Sequence, residues 1–120
     1  MSWYKVARSE PSLRVWLDDH VPMPADFDVH VKTAREAIDL LQSGVVAFIS
    51  LDRDLGEPES KNGTGAQVAN WIERSAFDGT LDRIDADVHS RNTPDAIQMA
   101  IALKNANRFW DEREQNNELV

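Results

Sequence analysis

Val45-Val46-Ala47-Phe48-Ile49-Ser50-Leu51 is a nearly unbroken apolar run between two segments that carry their own helix signals. A strand apolar on both sides needs cover on both sides, a condition met in a parallel sheet flanked by helices. This run therefore constrains the fold more than any other segment. Before it, Thr33 and Glu36 form a capping box. Ala34, Ala37, Ile38 and Leu41 mark one helical face, and Gly44 stands where a left-handed terminator is wanted. After it, Thr64 and Gln67 form a second capping box, and Val68, Ala69, Ile72 and Ala76 predict a helix to about Ala76. Thr93-Pro94 opens a third predicted helix, running to Arg113.

Three further strands are predicted. Leu13–Leu17 is short and β-capable and stops at Asp18-Asp19, and Phe27–Val31 alternates apolar with polar. Pro22 and Pro24 exclude a regular helix between them. Ile84, Ala86 and Val88 alternate with Asp85 and Asp87 up to His89-Ser90, and the polar stretch 52–63 reads as a loop. Strands alternating with helices predict an α/β domain with about four mainly parallel strands and helices on both faces. Trp16, Phe48, Trp71 and Phe109 are expected in the core, and Trp110 either shields a pocket or closes the last helix. The expected divisions are an N-terminal extension over 1–12, the domain over 13–113 and a frayed tail over 114–120. Trp3, Tyr4 and Val6 suggest that the extension docks on the body.

Composition removes several classes of function. One domain is all that 120 residues allow, and the absence of cysteine excludes disulfides, thiolate nucleophiles and Cys-ligated zinc. Thirteen Lys and Arg against 21 Asp and Glu leave a net charge of −8 with no basic stripe, so direct nucleic-acid binding is not expected. No apolar run approaches the ~20 residues of a membrane span. Met1–Val6 does not open like a secretory signal, so no membrane association is expected and the chain reads as cytoplasmic.

The polar clusters carry the chemistry. Asp18-Asp19, Asp52 with Asp54, and His89-Ser90 each fall at the end of a predicted strand. In an open parallel sheet those ends lie side by side and form the ligand crevice. Crowded carboxylates repel, and Mg²⁺ held by one or two of them together with substrate phosphate relieves the repulsion. The reading against it is that Asp is a common turn and cap residue at any strand end. Asp52-Arg53-Asp54 does not continue as a calcium loop, since Glu57 stands where the glycine belongs and Gly63 where the glutamate belongs. Asn62-Gly63-Thr64-Gly65 lacks P-loop spacing. His20 follows the acidic pair toward the same crevice, whereas His30 lies within an alternating strand and reads as a surface or packed side chain.

Taken in order, Trp16-Leu17-Asp18-Asp19 with its proline loop, Ser50-Leu51-Asp52-Arg53-Asp54-Leu55-Gly56, Gly63-Thr64-Gly65, Val68-Ala69-Asn70-Trp71-Ile72-Glu73 and His89-Ser90-Arg91-Asn92 resemble the cyclic-phosphate-processing receiver-like domains of bacteria and their phages. The resemblance implies a truncated receiver-like (flavodoxin-like) three-layer sandwich that acts on cyclic or nucleotide-derived phosphate. It implies that Asp18 and Asp19 match the acidic metal pair of receivers and that Asp52 matches their phosphoacceptor. Ser90 matches the hydroxyl residue of the next strand, and His89 the family's own histidine. Two departures stand out: Arg53 replaces the usual loop histidine, and no fifth strand with its lysine follows Ser90. Arginine clamps phosphate but does not shuttle protons near neutral pH.

Two functions from different classes follow. In the first, Asp18, Asp19 and Asp52 hold Mg²⁺, and Asp52 or Asp54 positions a water or acts as nucleophile. His89 serves as acid or base, while Arg53, Thr64, Ser90 and His20 orient a small phosphate or nucleotide, which makes a metal-dependent cyclic phosphate hydrolase. In the second, the domain is a non-catalytic module that sequesters such a ligand or docks on a host protein. Mimicry of nucleic acid would need acidic residues in a regular outer stripe, and here many gather at strand ends.

Overall fold

The computed structural model describes residues 11–52, 63–89 and 94–119. The expected sites Arg53, Asp54 and Ser90 lie outside the described residues, as do Trp3, Tyr4 and Val6. Among the described residues four strands and three helices follow one another: β1 (Leu13–Leu17), β2 (Val29–Val31), α1 (Ala34–Ser43), β3 (Val46–Leu51), α2 (Gly65–Asp78), β4 (Asp85–Val88) and α3 (Pro94–Leu119). The sheet is parallel throughout, in the order β2-β1-β3-β4. This is a receiver-like α/β fold, truncated at four strands.

The helix boundaries follow local chemistry. Thr33 caps α1 by accepting from the Glu36 N–H, and Gly44 closes it at φ 82°. The Glu36 carboxylate answers to the Lys32 N–H and the Thr33 hydroxyl, so it grips the approach to the helix as well as its cap. Thr64 and Gln67 complete a reciprocal capping box on α2, and Gly79 closes that helix at φ 80°. β2 is shorter than the alternation predicts. Phe27 instead closes a turn onto the Pro24 carbonyl and lays its ring against Trp16 and Phe48.

Helical cover lies on one face. The steps from β2 to β3 and from β3 to β4 cross the sheet in the same direction, so right-handed crossovers put α1 and α2 on the same side. α3 then packs along α2 and on β4. Val15, Leu17, Ile49, Leu51, Val68, Ile72, Met99 and Trp110 belong to the one core between sheet and helices. The step from β1 to β2 runs the other way, and its connection is the proline segment that cannot be helical. Among the described residues that connection carries no helix. On the other face Arg14 lies over the rings of Phe27 and Phe48, beside Trp16.

A one-residue register slip between Leu13 and Arg14 makes this division possible. It sends Val46 into the core while Phe48 and Ser50 line up with Arg14 and Trp16 on the opposite face. Trp16 is thus buried as expected but outside the main core, Phe48 is half-buried, and Trp71 and Phe109 pack at the core's edge. Trp110 is a core residue whose indole N–H donates to the Leu81 carbonyl at 2.8 Å.

α3 continues past Arg113 to Leu119. Arg83 reaches across to Asp111 and Glu114, and those carboxylates hold its guanidinium further toward the charged form. Arg113 donates to the Ala76 and Phe77 carbonyls at the end of α2. These contacts anchor the late turns. No helix among the described residues is long and apolar enough to cross a membrane.

Candidate metal and phosphate site

Register brings three side chains together. Leu17 pairs with Leu51, and Leu51 with Val88. The ladder continues one step further, with the Asp52 N–H donating to Leu17 and the His89 N–H to Leu51, each at 3.0 Å. Asp18, Asp52 and His89 are the next residues on the three strands, so they form a row at the carboxyl end of the sheet. One potential ligand atom from each lies within 4.8 Å of the others. The expected convergence of Asp18, Asp52 and His89 is therefore present. Asp19 is half-buried and stands outside this group.

Asp18 is the most constrained member, with only 1% of its surface exposed. Its Oδ1 accepts the backbone N–H groups of His20 and Val21, both at 2.8 Å, and its Oδ2 lies 2.9 Å from His89 Nε2. Burial pushes the carboxyl pKa up. The Val21 and His20 N–H groups, followed by the His89 ring, outweigh that effect and hold it below its ordinary value. A carboxylate has roughly four lone-pair positions, and these contacts take three of them.

His89 is held on three sides. Nδ1 lies 2.8 Å from the Ser50 hydroxyl, Nε2 faces Asp18, and the Trp16 indole stacks on the ring at 3.8 Å and 10°. In the neutral ring the carboxylate fixes the proton on Nε2, and Nδ1 accepts the Ser50 O–H. Both nitrogens are thus engaged within the protein. Either metal ligation or proton transfer by His89 costs one of these bonds. Trp16 also donates its indole N–H to the Val21 carbonyl at 3.1 Å, which ties down the turn that wraps Asp18.

Two further residues support the site. His30 donates Nε2–H to the Asp18 carbonyl at 2.7 Å, so it is a packed residue beneath the site. Ser50 is the lone polar side chain in the apolar β3 run, and that anomaly was the available signal. His20 contributes its backbone N–H, while its side chain is exposed. The Thr64 hydroxyl accepts the Gln67 N–H at 3.1 Å as the cap of α2. Gly65, next along, sits so close to Asp52 that an added Cβ would run into the Asp52 carbonyl oxygen. The start of α2 therefore abuts the end of β3, and the positive end of the helix dipole there favours negative charge nearby.

An open parallel sheet with an acidic row at the carboxyl ends of β1 and β3 defines a receiver-type domain with a candidate cation site. The family model of the cyclic-phosphate processing receiver domain matches residues 13–105, and the chain belongs to that family. No curated protein and no solved structure matches it.

Proposed function

We propose that this protein binds a small cyclic or nucleotide-derived phosphate through Mg²⁺ held by the Asp18 and Asp52 carboxylates, with Asp19 beside them. The observation that carries the reading is the approach of Asp18, Asp52 and His89 within 4.8 Å. Two carboxylates so close repel unless a cation or proton lies between them, and Asp18 is biased toward its charged form. Hard oxygen donors suit Mg²⁺, which dehydrates reluctantly and shares its shell with phosphate. When bound, the ion would screen phosphate oxygens and reverse the local sign of a chain carrying −8.

The chain's own residues divide the remaining work. His89, braced by Ser50 and Trp16, orients the Asp18 carboxylate. The start of α2 and the Thr64 hydroxyl orient phosphate oxygens, with Arg53, Ser90 and His20 as further contacts. A hydrolytic version assigns proton transfer to His89 and water positioning or nucleophilic attack to Asp52 or Asp54. It adds one water across one P–O ester bond and yields a monoester. The full engagement of the His89 ring and the arginine at position 53 favour binding over turnover, with ligand sequestration or docking on a host protein in the cytoplasm of a bacterial or phage-infected cell as the output.

Calorimetric titration of folded protein with MgCl₂, then with a 2′,3′-cyclic nucleotide, tests the reading. Heat of Mg²⁺ binding that disappears in Asp52→Ala is expected, with Mg²⁺-dependent ligand heat after it. No heat from either titrant, in protein with native circular dichroism, overturns it. Product chromatography of the same samples separates hydrolysis from binding alone.

A further inference from the structure

Phe77 stands off the core face of α2. That face carries Val68, Ala69, Ile72 and Ala76, whereas Phe77 is 62% exposed, more than any other large apolar side chain among the described residues. A single exposed apolar residue is ordinary. This one is held in place. The Phe109 ring of α3 meets it edge-on at 5.2 Å and 67°, and its carbonyl accepts from Arg113. The Phe77 ring forms a ridge with a cleft on either side. One, of about 330 Å³, opens toward Glu73 and Arg74, and the other, of about 200 Å³, toward Glu112 and Arg113; Phe109 lines both.

Charge decides what fits this ridge. Arg74, Arg108 and Arg113 stand around it against Glu73, Asp78 and Glu112, so the patch is neutral in a chain of net charge −8. Arg74 pairs with Asp78 at 3.2 Å, and Arg108 lies over the Phe109 ring. Two copies of an acidic chain repel, and a neutral patch with both signs side by side lets them approach with least repulsion. The other exposed apolar patch, Ile97 and Ile101 on α3, does not meet that condition. Its cleft includes Asp87, with Asp85 exposed on the same strand, against Lys104 alone. A second copy seated there meets its own acids.

We propose that two copies of this chain associate through the ridge as a symmetric dimer, each Phe77 seated in a cleft beside the partner's Phe109. A two-fold interface needs a surface that complements itself. A ridge flanked by its own grooves meets that need in shape, and arginines interleaved with carboxylates meet it in charge. Aromatic rings and arginine are also the side chains that interface centres favour. Because Phe109 already fixes the Phe77 ring, little freedom is lost on docking. Phe77 lies about 18 Å along α2 from Gly65, so the candidate cation site of each copy sits at the opposite end of the helix from the interface.

Sedimentation equilibrium of the full chain, from about 1 µM to about 1 mM, tests the association. A monomer–dimer equilibrium is expected, with the larger species at twice the 13.6 kDa chain mass. Phe77→Asp should weaken it at least about thirtyfold with circular dichroism unchanged, since the side chain lies outside the core. Arg74→Glu, which turns the rim acidic, should weaken it too, and Ile101→Ser in the other patch should leave it as it is. A monomer throughout the range, a dimer that Phe77→Asp and Arg74→Glu leave intact, or one that Ile101→Ser abolishes would overturn the proposal. Heat of Mg²⁺ binding should be the same in Phe77→Asp as in the unaltered chain, so the dimer and the cation site fail independently.

Discussion

Asp18 accepts two backbone N–H groups and faces one imidazole from a nearly sealed position. Its charge is therefore a structural element as well as a candidate ligand. Because its pKa is lowered in the folded chain, the ionised form contributes stability that is fully present above the unfolded value of about 3.9. That contribution is lost as pH falls through the lower folded value. Urea midpoints measured from pH 7 downward should accordingly fall most steeply below about pH 4, with a shallower fall in Asp18→Asn. Equal slopes in the two proteins would assign the acid sensitivity to other carboxylates.

α2 begins where β3 ends, and the contact is close enough to dictate a glycine. A Cβ on Gly65 would strike the Asp52 carbonyl oxygen and stand 2.8 Å from Met99 Cε. Alanine in a helix is ordinarily favoured over glycine by about 1 kcal/mol. Here the sign should reverse, with Gly65→Ala costing about 1–3 kcal/mol in thermal or urea unfolding because the helix start must back away from the strand. Mg²⁺ affinity should weaken with it, and a stabilised variant would disprove the contact. The helix limits were readable from sequence because capping is local: Thr33, Gly44 and Thr64 act within a few residues of themselves. The row of Asp18, Asp52 and His89 was readable because parallel topology alone aligns strand ends. The bracing of His89 by Ser50 and Trp16 was not, since those faces align only after the slip beside Leu13.

Across the whole molecule, acidic residues outnumber basic ones and two carboxylates meet at one end of the sheet. A specific cation should then stabilise the fold beyond what ionic strength achieves. MgCl₂ at a hundredfold excess over its dissociation constant adds about 2.7 kcal/mol by mass action. The melting temperature should therefore rise above that in NaCl of matched ionic strength, and the difference should vanish in Asp52→Ala. Matching curves in the two salts would reduce the effect to screening. The helix-free face has a consequence of its own. Because the Trp16 indole lies flat on the His89 ring, a native fluorophore touches the candidate site, and any event that tilts or repolarises the imidazole becomes an optical signal without an added dye.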